Sequence, residues 1–180
     1  QATLLGELDR KILLRVNDFG NEAELKKDME LLSLGVFDGI MLPMINRVEN
    51  IQTIDRWLQN MEEELSTGRT VFEIVPLIET VYSTVHINRI TSSSNRITAI
   101  ALGLFDLFAD SNASMNQANV NFISNQVMLA AKSAGLPFID SPFTEIHDYA
   151  AFYADCEKTV DIGSDGKLIL HPDHIDIVNN

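Results

Sequence analysis

Short apolar runs alternate with longer amphipathic segments along almost the whole chain, and this alternation constrains the fold more than any other feature. The runs are rich in Leu, Ile and Val and stop at turn residues, which is typical of buried strands. The segments between them carry apolar residues at helical spacing, such as Leu25, Met29 and Leu32. The pattern predicts strands over 11–17, 37–44, 70–80, 96–105, 136–140 and 167–172, and helices over 22–35, 47–65, 81–91, 122–135 and 145–158.

Strand and helix recur at a spacing of about 25 to 35 residues, which is the rhythm of a parallel sheet covered by helices. Each connection is long enough for a right-handed crossover. No composition change suggests a linker, so we expect one α/β domain over residues 1–180. Six units are too few for a closed eight-stranded barrel, which usually needs about 250 residues. The sheet is therefore either open or part of a barrel from which strands are missing.

Composition excludes several classes of partner. The formal net charge is −13, with 13 Lys and Arg residues against 26 Asp and Glu residues. Nucleic acids and anionic membrane surfaces require clustered basic residues, so neither is an expected partner. No apolar run approaches the roughly 20 residues of a membrane-spanning helix, and the start QATLLGELDRK lacks the order of a signal peptide. We therefore expect a cytoplasmic protein.

The single cysteine, Cys156, lies in a segment predicted to be helical. It has no second cysteine with which to form an internal disulfide, and no activating base lies close to it in sequence. We expect a half-buried structural thiol rather than a nucleophile.

Charged side chains stand where three of the predicted strands end. Arg15 lies near the end of the first strand, Glu79 near the end of the third, and Asp106 directly after the fourth. The carboxyl ends of parallel strands meet at one rim, where the connecting loops form the site in such folds. Burial of an unpaired charge is costly, so acids at this rim require a partner.

A hard divalent cation such as Mg²⁺ would supply that partner. Two neighbouring carboxylates repel each other, whereas Mg²⁺ is commonly held by one or two carboxylates together with water and substrate oxygens. A substrate with adjacent carboxylate and carbonyl oxygens would complete the coordination, and Arg15 would bind it through its planar fork. The pattern favours a Lewis-acid site that stabilises charge on an enolate oxygen.

Two other interpretations of the strand ends remain open. Each acid would also serve as a helix cap or as the partner of a surface lysine. An unrelated open sheet that binds a nucleotide is a further alternative. However, no glycine-rich phosphate loop follows any predicted strand, which argues against nucleotide binding.

Six segments, in order and with their spacing, resemble the HpcH/HpaI aldolase and citrate lyase β-subunit superfamily, particularly its CitE-like branch. They are LLRVN, FDGIMLP, VPLIET, LGLFDL, VMLAAKSAGLPFID and GSDGKLILHP. Members of that family are TIM barrels that make or break a carbon–carbon bond beside a 2-oxo acid or an acyl thioester, with Mg²⁺ or a related ion. The resemblance implies a (β/α)8-barrel domain that lacks the first two strands and the C-terminal helices.

The resemblance also implies roles for individual residues. Glu79 and Asp106 would be the ligands of Mg²⁺, with Mn²⁺ as an alternative, and Arg15 would contact the substrate's carboxylate or enolate oxygen. Gly103 and Leu104 would offer backbone N–H groups to a substrate carboxylate. The residues that match the motif near the last strand are expected to serve mainly architecture: Asp165, Gly166, Lys167, His171 and Pro172.

Several positions depart from the family pattern. Met44 stands where CitE-like sequences usually have lysine, and Phe105 stands where they usually have glutamate before the metal-binding aspartate. Met44 after Pro43 is more similar to the pyruvate-aldolase branch. A CoA thioester is therefore not assumed as substrate, and no general base is visible in the sequence.

The resemblance predicts a Mg²⁺-dependent carbon–carbon lyase, an aldolase or a protein similar to the citrate lyase β subunit, acting on a 2-oxo acid or acyl-CoA-type substrate through a metal-stabilised enolate. The alternative is a truncated, non-catalytic barrel that serves as a binding or assembly subunit. Uncovered apolar sheet edges would favour a homo-oligomer or a partner chain that supplies the missing strands. A fragment of a longer protein would carry the same sequence pattern.

Overall fold

The computed structural model describes residues 10–65 and 71–179. Residues 1–9 lie outside the described residues, and they form most of the start that was compared above with a signal peptide. Thr70 of the third predicted strand also lies outside them. The strands are β1 (Leu13–Arg15), β2 (Gly39–Leu42), β3 (Glu73–Ile78), β4 (Ile100–Leu102), β5 (Phe138–Asp140) and β6 (Gly166–Lys167). The helices are α1 (Glu22–Glu30), α2 (Val48–Leu65), α3 (Val81–Val85), α4 (Ile87–Thr91), α5 (Leu104–Ser111), α6 (Gln117–Ser133), α7 (Tyr149–Ile162) and α8 (Ile175–Val178).

The six strands form one sheet in the order β1-β2-β3-β4-β5-β6, and every neighbouring pair is parallel. Right-handed crossovers between consecutive parallel strands place the connecting helices on the same face of the sheet. A sheet wound in one direction therefore curls, and the result is an α/β half-barrel. The predicted parallel α/β sheet is confirmed. Within the described residues β1 and β6 form the two edges and do not pair with each other.

Side chains alternate along each strand between the helix-covered outer face and a smaller inner face. The outer face forms the main core with the helices and includes Ile40, Ile74 and Phe138, each fully buried. The inner face carries a second cluster that draws at least one residue from each of the strand segments: Leu13, Met41, Val75, Leu77, Ala99, Ala101, Ile139 and Leu168. This inner row fixes which way the residues beyond each strand point.

Local capping fixes where the helices begin and end. Asn116 caps α6 through its side chain, which accepts a hydrogen bond from the Asn119 N–H, and Thr80 and Ser83 form a reciprocal capping box at the start of α3. Gly163 ends α7 in the left-handed conformation, with φ +85°. No helix in the described ranges is long and apolar enough to cross a membrane.

Several predicted boundaries are wrong. The helix predicted over 81–91 is two helices, α3 and α4, and the helix predicted over 145–158 is shifted to Tyr149–Ile162. The fourth strand is only Ile100–Leu102, because the chain turns at Gly103 and Leu104 begins a helix. The sixth strand is Gly166–Lys167 rather than 167–172, although Leu168 still packs on the inner cluster. Helix α6 begins at Gln117, five positions before the predicted start at 122, because the Asn116 cap allows polar residues to form its first turn.

Candidate metal and substrate site

Four residues continue the inner row beyond the carboxyl ends of the strands. Arg15 follows Leu13 at two positions, and Glu79, Gly103 and Ser141 follow inner-face residues of β3, β4 and β5 by the same interval. Since side chains repeat every two residues, these four positions face the concave side of the sheet at one rim. This shared register is the physical reason why residues at the strand ends converge on one rim.

Glu79 is held rigidly at this rim. Its side chain is buried, with the residue only 1% exposed, and its Oε1 accepts a hydrogen bond of 2.8 Å from the backbone N–H of Met44. Met44 has φ +48°, a left-handed conformation that costs energy for a residue with a side chain. The strained turn after β2 therefore delivers an N–H group to the Glu79 carboxylate.

The buried position changes the acidity of Glu79. Loss of solvent is the largest cause that raises its pKa, from 4.5 to about 7. The Met44 N–H opposes this rise, the Asp106 charge and a hydrogen bond with Asp106 add to it, and the Arg15 charge opposes it. The carboxyl groups of Glu79 and Asp106 are thus close enough to interact directly, and one of the pair favours a proton when no cation is present.

Asp106 reaches the rim from a helix rather than from a strand end. It is the third residue of α5, whose N-cap is Gly103, and its side chain is exposed. Carboxylates are favoured in the first turn of a helix, because the unpaired N–H groups there carry partial positive charge. The positions of Glu79 and Asp106 therefore have different structural origins, one a strand and the other a helix N-terminus.

Arg15 provides positive charge at the same rim. Its side chain is exposed, and it forms no hydrogen bond or ion pair within the described residues, while its charge lowers the pKa of Glu79. An uncommitted guanidinium beside a carboxylate pair is available to bind an oxyanion.

The N–H groups expected to bind a substrate carboxylate are already engaged. The Gly103 N–H donates to the Ile78 carbonyl at 2.9 Å, and the Leu104 N–H donates to Ser141 Oγ at 3.1 Å. The next two N–H groups of the same helix turn, those of Phe105 and Asp106, have no acceptor within the described residues.

Gly103 is required by a close approach. A Cβ at this position would lie 2.8 Å from Glu79 Oε2 and 2.8 Å from Glu79 Cβ. The glycine thus lets the Glu79 carboxylate lie directly against the start of α5. A residue with a side chain at this position would collide with Glu79.

A cleft of about 330 Å³ opens over the carboxylate pair. Its walls are largely apolar, and Phe105, Pro142 and Leu170 contribute to them. The cleft is lined by Arg15, Met41, Leu77, Glu79, Gly103, Phe105, Asp106, Ser141, Pro142, Leu168, Ile169 and Leu170.

The donor set fits a hard divalent cation. The described residues contain no cluster of three or more His, Cys, Asp or Glu side chains arranged to hold a metal ion. Two neighbouring carboxylates are nevertheless a common donor set for Mg²⁺, because water and substrate oxygens supply its remaining ligands. Glu79 and Asp106 would hold the ion.

The residues of the motif near the last strand form contacts that hold neighbouring elements together. Lys167 is only 3% exposed in its side chain and forms ion pairs with Asp140 at 3.0 Å and Asp155 at 2.7 Å. Asp165 accepts a hydrogen bond of 2.7 Å from the Phe138 N–H. His171 caps a short 3₁₀ turn, since its Nδ1 accepts from the Asp173 N–H.

Cys156 lies in the middle of α7 and is half-buried. Burial raises the pKa of this thiol, which opposes formation of a nucleophilic thiolate.

Sequence reasoning missed two residues of the rim. Ser141 carries no charge and sits one residue past the predicted fifth strand, although its place two residues after Ile139 is the same signal that marks Glu79. Met44 acts through its backbone N–H and its positive φ, and no property of its side chain indicates either.

A curled parallel α/β sheet with a carboxylate pair, an arginine and a helix N-terminus at its carboxyl rim is typical of barrel-type α/β proteins, whose functional residues lie at this rim. The family model described as HpcH/HpaI aldolase/citrate lyase matches residues 2–172. The chain belongs to this family, and the resemblance drawn from its motifs is confirmed.

Curated relatives and a solved structure agree with this assignment. The chain is 23% identical over 171 residues to the citrate lyase subunit beta of Leuconostoc mesenteroides subsp. cremoris, covering 94% of the chain and 56% of the relative. It is 22% identical to a (3S)-malyl-CoA thioesterase of Cereibacter sphaeroides, covering 93% and 55%. The Mycobacterium tuberculosis CitE structure with magnesium and pyruvate shares the fold, with TM-score 0.75 at 20% identity over 92% of the chain and 65% of that protein. The chain thus spans little more than half the length of these curated relatives.

Proposed function

We propose that this chain forms the metal and substrate site of a Mg²⁺-dependent carbon–carbon lyase that acts beside the carboxylate of a 2-oxo acid or an acyl-CoA-type substrate. One observation carries the proposal: the Glu79 carboxylate is buried at the rim and lies close enough to Asp106 to interact with it, and loss of solvent, with the Asp106 charge adding to it, raises the pKa of Glu79 to about 7. Such a pair is unfavourable without a cation and favourable with one. Mn²⁺ would bind the same oxygens.

The residues around the pair would each have a distinct task. A bound divalent cation would polarise the substrate oxygens that face it. Arg15 would bind the substrate carboxylate or the adjacent oxygen, because its guanidinium has no other partner within the described residues. Gly103 would leave the space that Glu79 occupies, and the Leu104 N–H would remain with Ser141. The Phe105 and Asp106 N–H groups would donate hydrogen bonds to the other oxygen of the substrate carboxylate. They would replace the Gly103 and Leu104 N–H groups, which were the donors expected from the sequence.

The wall of the cleft favours a small substrate. Phe105 replaces a polar residue next to Asp106 and is 42% exposed, and Leu170 is 54% exposed. Apolar walls exclude water from charge that develops on a substrate oxygen and strengthen its interaction with Arg15. A short 2-oxo acid fits the cleft of about 330 Å³ better than a whole CoA thioester, of which only the acyl end would enter.

Titration with Mn²⁺, followed by electron paramagnetic resonance, tests the proposal on the native chain and on Glu79→Gln and Asp106→Asn. Each variant keeps the shape of the side chain and removes one charge, so each is expected to weaken binding by about tenfold or more. Glu49→Gln on α2, which is exposed, is the matched control. Equal and negligible affinity in the native chain and both variants would contradict the proposal. Assays with oxaloacetate, 4-hydroxy-2-oxo acids and short malyl- or citramalyl-CoA esters then identify the substrate.

A second candidate function is a binding or assembly subunit without catalysis. The inner-face residues of the outermost strand segments, Leu13 and Leu168, are only partly buried. Apolar side chains at a sheet edge favour contact with a further strand or with another copy of the chain. Sedimentation of the native chain, alone and with Mn²⁺, separates the candidates: assembly without cation binding favours the subunit.

A further inference from the structure

Ser141 lines the cleft and is also attached to the backbone of α5. It follows β5 immediately and is 3% exposed. Its Oγ accepts a hydrogen bond of 3.1 Å from the N–H of Leu104, the first residue of α5. The first N–H groups of a helix have no partner within the helix, so an acceptor placed there fixes where the helix begins.

The junction between β4 and α5 is therefore held from both sides. The Gly103 N–H donates to Ile78 of β3 at 2.9 Å, and the Leu104 N–H donates to Ser141 beyond β5. Two successive N–H groups attached to different neighbouring strands fix both the position and the direction of the helix start. Asp106 lies two residues further on, within the same turn, so its carboxylate moves with this junction.

Ser141 is itself fixed by the buried lysine. Lys167 Nζ donates to the Ser141 carbonyl oxygen at 2.8 Å and contacts Asp140 Oδ2 at 3.0 Å, Asp155 Oδ2 at 2.7 Å and Thr159 Oγ1 at 3.1 Å. Charged hydrogen bonds that are shielded from water are strong and geometrically specific. The ammonium group thus fixes the backbone of Ser141, from which the hydroxyl projects.

The other side of the junction has no room to adjust. The Glu79 carboxylate lies against Gly103, where even a Cβ would approach within 2.8 Å of Oε2. Glu79 is also held by the Met44 N–H. A shift of the helix start would therefore change the separation of the two carboxylates rather than be absorbed by Glu79.

We propose that Ser141 is a positioning residue: its backbone is fixed by Lys167, and its hydroxyl holds the first turn of α5 so that Asp106 faces Glu79 at the spacing a divalent cation requires. The predicted effect on cation binding rests on the proposed function. The hydrogen bond between the Leu104 N–H and the Ser141 hydroxyl is seen in the structure and does not depend on that function.

Three variants test it by Mn²⁺ affinity. Ser141→Ala removes the acceptor and is expected to raise the dissociation constant about tenfold, which is typical for loss of a residue that orients a ligand. Ser141→Thr keeps a hydroxyl and is expected to retain most of the affinity. Ser164→Ala is the matched control, because Ser164 bonds the backbone of the same strand at its opposite end, donating to Phe138 O at 2.9 Å. If Ser141→Ala does not fold, Ser141→Cys fills the space with a poor acceptor.

Amide hydrogen exchange at Leu104, followed by NMR, provides a readout without metal. Exchange is expected to be faster in Ser141→Ala than in the native chain, and unchanged in Ser164→Ala. An unaltered Mn²⁺ affinity in Ser141→Ala, or an equal loss in Ser164→Ala, overturns the positioning role. If the native chain binds no Mn²⁺, the proposed function fails. The positioning role is then decided by exchange, supported by faster exchange at Leu104 and overturned by no change.

Discussion

Replacement of Glu79 by glutamine should remove part of the pH dependence of stability in the metal-free chain. The folded state raises the pKa of Glu79 from 4.5 to about 7, so the folded protein binds this proton more tightly than the unfolded chain does. The favourable contribution is complete below pH 4.5 and is lost as pH rises to about 7. Each pKa unit corresponds to about 1.4 kcal/mol, so the free energy of unfolding falls by about 3 kcal/mol across this window.

Glutamine has nearly the same shape and no charge to bury. Its side-chain oxygen would accept the Met44 N–H as Glu79 Oε1 does, and its amide would donate to Asp106. Glu79→Gln should therefore be about 3 kcal/mol more stable than the native chain at pH 8 and of similar stability at pH 4.5. The difference between the two proteins isolates this residue from the other titrating groups.

Urea denaturation followed by circular dichroism, at intervals between pH 4.5 and 8 with a chelator present, measures this difference. Addition of Mg²⁺ at pH 8 should stabilise the native chain more than Glu79→Gln, because the cation replaces the proton on the carboxylate pair. Glu49→Gln serves as the control. Parallel stability profiles for the native chain and Glu79→Gln would refute the assignment of a buried, proton-binding carboxylate to this position.

Three further changes have defined outcomes. Lys167→Met should reduce the free energy of unfolding by about 3–5 kcal/mol in urea denaturation, because it leaves the 7% exposed Asp140 without its cation; a loss below about 1 kcal/mol would contradict this. Gly103→Ala should weaken Mn²⁺ binding by about tenfold or more, because its Cβ displaces the Glu79 carboxylate; unchanged affinity would show that the rim yields. Arg15→Lys should lower kcat/KM in the lyase assay by about 10²-fold with an unchanged circular dichroism spectrum, since an ammonium lacks the planar fork. Full activity would exclude a role of Arg15 in binding the substrate.

The sequence was sufficient to predict the alternation of strands and helices and the parallel arrangement of the strands. Apolar periodicity and turn residues depend on local chemistry, so they identified every strand at least in part, including the two-residue β6 at Lys167. The same local signals were weakest at boundaries. Gly103 could be interpreted as part of a strand, because only the position of the neighbouring strands shows that the chain turns into α5 there.

The sequence by itself also indicated the charged residues of the candidate site. Arg15 and Glu79 are charges at the ends of apolar runs, and that conflict with burial is visible without coordinates. The same pattern indicated Asp106, although its origin in a helix turn was not apparent.

Only the tertiary structure decided how the site is held together. The Met44 N–H reaches Glu79 across 35 positions of sequence, and the Ser141 hydroxyl reaches Leu104 across 37. Lys167 fixes Ser141 from 26 positions away. Such contacts depend on strand register and on the packing of separate elements, and no local pattern records them. The residues that carry the charge were therefore visible in the sequence, whereas the neutral groups that aim the charge became visible only when the strands were placed side by side.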